Sequence, residues 1–130
     1  MDRRTHHHLS ERLCGRLVEL GPGRAVVELD TTDEMKADER GLVHGGFPFG
    51  LADHAAMLAV NEPTVVLGSA QLKFLRPVVV GERLRAEATL DRAEGKKRFV
   101  KVVVRRGDEP VLEGELLCLV PDTHVLDARR

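Results

Sequence analysis

The chain has 130 residues but no tryptophan and no tyrosine, and four phenylalanines are its only large aromatics. That scarcity excludes a stacking platform for single-stranded nucleic acid, which needs aromatic side chains under successive bases. It also leaves Val, Leu and Ala to fill the core. Charge of one sign is missing too: 20 basic residues face 21 acidic ones. The two kinds are interspersed, so there is neither a basic stripe for DNA nor a polybasic patch for a membrane surface. Only two cysteines occur, Cys14 and Cys118, with no CxxC pair. They read as reduced core or interface thiols in a cytoplasm. No apolar signal segment opens the chain and no run of 18 apolar residues interrupts it, so the expected location is cytoplasmic. The sequence also lacks a GxSxG elbow, a P-loop and an HExxH pair. His6-His7-His8 lies in a polar stretch and reads as part of a tail rather than a metal site, so no metal and no cofactor is expected.

Apolar residues make up 42% of the chain, enough for one soluble domain with its own core. Residues 1–9 read as a loose tail, 10–122 as the domain and 123–130 as a second tail. Residues 10–20 mix a helical turn with the start of a strand. Gly21-Pro22-Gly23 makes a turn, and 24–30 is a strand with Ala25, Val27 and Leu29 on one face, which predicts a hairpin. Residues 47–61 are the one long helix candidate, with Pro48 tolerated in the first turn and Asn61 and Pro63 ending it. Four strand-like segments follow, at 65–75, 83–90, 97–106 and 111–120, with Gly114 marking a bulge or kink. Short connections favour antiparallel neighbours. The expected class is α+β: one antiparallel sheet holding one helix.

That helix has no polar face, so it should be covered on every side, by the sheet and by a second copy of the chain. Asp53 stands in its middle. A lone buried carboxylate costs several kcal/mol unless paired, solvated or protonated. The alternatives are an ion pair with His54 or a strand arginine, and a cleft that needs an acid. Just before the helix, Gly45-Gly46 allows close approach to the backbone. The free N–H groups of a helix start offer a site for an oxygen that gains negative charge. Gly46 and Asp53 are seven positions apart, roughly 10 Å along a helix. Acid and N–H must both lie about 3 Å from one reacting centre. Two antiparallel helices across a two-fold axis would satisfy this, with Asp53 of one protomer facing Gly45 of its partner.

Two stretches, 41–53 (GLVHGGFPFGLAD) and 69–77 (SAQLKFLRP) with Gly81 after it, resemble the signature of the phenylacetyl-CoA-type thioesterases of the hotdog superfamily. The resemblance implies a sheet wrapped around a central helix, assembled as a homodimer or a dimer of dimers. It implies hydrolysis of an acyl-CoA or acyl-carrier thioester. Asp53 matches the family's general base or nucleophile, Gly45 the N–H that polarises the carbonyl, and His44 a residue that orients it. Gly46, Phe47, Met57, Ser69, Phe74, Arg76 and Arg98 are the expected substrate- and CoA-binding residues. Lys96 and Lys97 are further cations that could meet CoA phosphates. Two positions depart from the pattern: Asp38 stands where many relatives carry Asn or Gln, and Met57 where some carry Ser or Thr. These motivate the alternative of a non-catalytic acyl-CoA-binding or regulatory hotdog protein. A hydratase on the same fold would need a His-containing pattern that is absent.

Overall fold

The computed structural model describes residues 1–129. The ambiguous segment 10–20 divides at Gly15. Helix α1 (Glu11–Cys14) is a single turn, its first N–H groups capped by Ser10, whose Oγ accepts from the Leu13 N–H at 3.3 Å. Strand β1 (Arg16–Gly21) follows and turns at Pro22-Gly23 into β2 (Arg24–Asp30), the expected hairpin. Helix α2 (Gly46–Val60) is the one long helix. It stops at Asn61, which takes the left-handed conformation (φ 53°, ψ 44°) and returns its N–H to the Met57 carbonyl. Strands β3 (Val66–Phe74), β4 (Arg83–Glu94), β5 (Lys97–Arg106) and β6 (Glu109–Leu119) complete the chain.

All pairings are antiparallel and the six strands lie in the order β1-β2-β4-β5-β6-β3. The fold is the expected α+β hotdog, with α2 laid across one face of the sheet. Alternation places Leu84, Ala86 and Ala88 of β4 and Val100, Val102 and Val104 of β5 against the helix. The small Ala52, Ala55, Ala56 and Ala59 let the helix approach closely, and all are buried. The opposite face of the sheet carries cross-strand ion pairs, among them Arg85–Glu28, Arg105–Glu87 and Arg83–Asp30. No helix among the described residues is long and apolar enough to cross a membrane.

Three details differ from the sequence reading. Strand β4 runs to Glu94 rather than Leu90, because a register shift between Leu90 and Arg92 lets pairing with β5 continue to the hairpin. Gly114 is not a bulge: it stays in register with Leu72 and Val102. Residues 1–9 are not loose. The Asn61 side chain accepts from the Arg4 N–H and donates to the Asp2 carbonyl, both at 2.8 Å, and Thr5 is buried. His6 and His7 bond within this segment, to Thr5 Oγ1 and the Arg3 carbonyl. Of the expected second tail, residues 125–128 form one 3-10 turn.

Candidate functional site

The chain enters α2 through His44, whose N–H is held by the Met35 carbonyl at 2.9 Å. The His44 carbonyl accepts from Phe47, and the Gly45 carbonyl accepts from Phe49. Among the described residues the N–H groups of Gly45 and Gly46 have no partner, so two donors are free at the positive end of the helix dipole. Gly45 lines a cavity of about 220 Å³ together with Val43, Pro48, Phe74, Arg76 and Val78. The Phe74 ring closes over Gly45, 3.4 Å from where a Cβ would stand. His44 is exposed, its ring edge-on to Phe47 with centroids 6.3 Å apart.

Asp53 lies further along α2 and does not line that cavity. Its Oδ1 is buried with no hydrogen-bond partner. Desolvation raises its pKa, and no cation opposes the rise. The internal ion pair that would have made Asp53 structural is therefore absent. His54 faces elsewhere: its Nδ1 meets the Cys14 carbonyl at 3.1 Å and its Nε2 lies 3.4 Å from Arg3 Nη2. A guanidinium only donates and a carbonyl only accepts, so the ring is the neutral Nδ1–H tautomer with both nitrogens satisfied.

The sequence reading did not foresee the company Asp53 keeps. Its charge reaches both cysteines, Cys14 from α1 and Cys118 from β6. Burial and that charge raise both thiols, Cys118 to about 12. Two uncharged thiols and a run of alanines thus give the carboxylate little to replace its water. No motif spacing signals this, because the cysteines are 104 positions apart.

The expected binding residues divide. Phe74 and Arg76 meet Gly45 at one cavity. Gly46 and Phe47 form the helix start beside it. Met57 does not join them: it is 1% exposed and packs in the core. Ser69 is exposed on β3, the edge strand, beside the irregularity between Leu67 and Ser69. Arg98 is turned into its own hairpin, donating to the Gly95 and Lys97 carbonyls at 2.7 and 3.0 Å, and Lys96 pairs with Asp122. Asp38 shapes the loop before the site, its Oδ1 accepting from the N–H groups of Arg40 and Leu42.

Comparison with known proteins bears on the family and the fold. Residues 40–113, which hold the helix start, Asp53 and the cavity wall, match the thioesterase superfamily model. A solved structure of an uncharacterized protein from Pyrococcus horikoshii is 56% identical, with a TM-score of 0.96 over 98% of both chains. The phenylacetic acid degradation protein PaaI of Thermus thermophilus, solved as a mutant, is 28% identical with a TM-score of 0.78, covering 85% of this chain and 96% of that one. The methylthioribose-1-phosphate isomerase of Aquifex aeolicus is 49% identical over 88% of this chain, but this chain spans only 25% of that protein. The transcription factor FapR of Thermoanaerobacter is 29% identical over 90% of this chain, which spans 59% of that protein. On the matched stretch and the shared fold, the chain belongs to the thioesterase superfamily, the hotdog group that its sequence resembles.

Proposed function

We propose that the protein hydrolyses an acyl-CoA or acyl-carrier thioester at a site shared between two protomers. The observation that carries this is the unpartnered, desolvated carboxylate oxygen of Asp53 on a helix whose start presents free N–H groups. An acid raised in this way accepts a proton more readily than an ordinary aspartate. Asp53 of one protomer removes a proton from water, and the hydroxide adds to the thioester carbonyl. The oxygen of the tetrahedral adduct receives a hydrogen bond from the partner's helix start at Gly45. Collapse breaks the C–S bond, and the departing sulfur takes the proton held by Asp53. Direct attack by the carboxylate, forming an anhydride that water then opens, uses the same residues. His44 orients the carbonyl from the rim, and the cavity beneath Phe74 receives part of the substrate.

The test is an acyl-CoA panel with free-thiol detection, run on the wild type and on Asp53→Asn. The substitution should lower turnover about 100-fold or more, the usual loss on removing a general base. Unchanged turnover would end this reading.

One observation favours a second reading. The residue one turn after Asp53 is Met57, buried in the core, so no hydroxyl stands there to hold a water. A protein that binds the thioester without cleaving it fits that feature, and a regulatory role fits the likeness to the transcription factor FapR. In that case the panel would show CoA-ester binding but no thiol release.

A further inference from the structure

We propose that Glu109 and Arg106 are positioning residues that hold Arg76 at the Gly45 cavity as the receptor for an oxyanion on the ligand. The ligand class rests on the thioester reading, and the geometry stands beside it.

Arg76 lines the cavity and its side chain is 55% exposed. A guanidinium on a free stem would lose much rotamer freedom on meeting a ligand. Here it is already tethered: Arg76 Nε lies 3.2 Å from Glu109 Oε2. An Nε held in this way leaves the terminal nitrogens to face an anion, the planar fork that matches carboxylate or phosphate. Glu109 is itself fixed, because its other oxygen is bonded by Arg106 Nη2.

Arg106 is the buttress. It is the most enclosed of these side chains, 26% exposed. Its Nη1 donates to the Pro77 carbonyl at 2.8 Å and to Glu82 Oε1 at 3.1 Å. Glu82 Oε1 in turn accepts from the Val79 N–H at 2.7 Å. The turn that carries Arg76, Pro77 and Val78 past the cavity is thus tied to the β5–β6 hairpin through one guanidinium. A lysine could not bridge these acceptors, having one nitrogen where Arg106 uses two.

The oxyanion has two chemical sources, a phosphate on the thiol side and a carboxylate on the acyl side. Calorimetric titration with three non-hydrolysable thioethers separates them: S-propyl-pantetheine, S-carboxyethyl-pantetheine and S-propyl-CoA. Wild type should bind one anionic probe better than the neutral one, and which one identifies the source. Glu109→Ala should weaken that probe about threefold to tenfold, the scale of freezing one long side chain. It should move the neutral probe much less. Glu109→Gln, which keeps an acceptor for Arg76, should fall between. In an Arg76→Ala background the Glu109 substitution should add nothing. Arg106→Lys should weaken the same probe and speed hydrogen exchange at Val79 and Val80.

The sign of the Glu109→Ala effect decides. A carboxylate that merely repels the ligand would, when removed, tighten binding of the anionic probe, and that result overturns the proposal. Equal binding of all three probes by wild type overturns it as well. Titration needs no turnover. Weakened anion binding in a protein that releases no thiol therefore leaves this inference standing while the hydrolase reading falls. A hydrolase whose anion binding tightens on Glu109→Ala gives the reverse.

Discussion

Gly114 passes so close to Gln71 that a Cβ built on the glycine would lie 2.1 Å from the Gln71 carbonyl oxygen and 2.8 Å from the Leu72 Cα. Both obstacles are backbone, so no rotamer change can relieve them. Gly114→Ala should therefore push β3 away from β6, at a cost of about 1–3 kcal/mol. Chemical denaturation should show the loss in the midpoint. Faster amide exchange should concentrate in residues 69–74. A variant as stable as wild type would mean that the two strands part without strain.

The carboxylate of Asp53 should be a burden on the fold. Its pKa is raised above the ordinary aspartate value near 3.8. The folded state then holds its proton more tightly than the unfolded state. The stability from the neutral acid is complete below about pH 3.8 and is lost as pH rises through the folded value. Asp53→Asn removes the ionisable group and should raise the Tm at pH 7 by about 2–4 °C. It should also flatten the Tm-versus-pH curve above pH 4. A lower Tm at pH 7 would mark Asp53 as a structural residue.

His54 should contribute with the opposite slope. Burial lowers its pKa, the nearby Arg3 and His6 push the same way, and the Cys14 carbonyl and Glu11 oppose them. A second proton would have to sit on Nε2, the nitrogen that faces the Arg3 guanidinium. A lowered histidine gives stability that is present above its unfolded value near 6.5 and is lost as pH falls toward the folded one. His6 is lowered by burial as well, so the two act together. Wild type should lose Tm as pH falls below 6.5, and His54→Asn should lose less. Parallel curves would show that the His54 ring does not titrate there.

The elements whose periodicity is long and unambiguous were legible. Strict alternation in 83–90 placed Leu84, Ala86 and Ala88 inward. The helix without a polar face ended at Asn61 as its stop signals require. Residues 1–9 misled because their polarity is satisfied locally and by Asn61, a partner almost 60 positions away that no local pattern reveals. In the site, the His-Gly-Gly turn and Asp53 stood out because glycines and a buried acid are anomalous where they occur. Arg98 and Met57 did not differ in type from residues that bind ligands. Only the hairpin that consumes the Arg98 donors and the packing around Met57 separate them from the cavity.

A site completed by two protomers makes a prediction that no single-chain site shares. Gly45 has φ −56°, which proline also adopts, so Gly45→Pro deletes the free N–H with little change in the local fold. Asp53→Asn and Gly45→Pro should each be nearly inactive alone. Refolded together in equal amounts, half of the dimers contain one of each. Every such dimer carries one site with both defects and one site with neither. The mixture should recover about a quarter of wild-type turnover. A site contained in one chain would recover nothing, since every chain in the mixture carries a defect. Size-exclusion chromatography of each variant, with the mixture measured before and after subunit exchange, distinguishes this outcome from simple contamination by wild type.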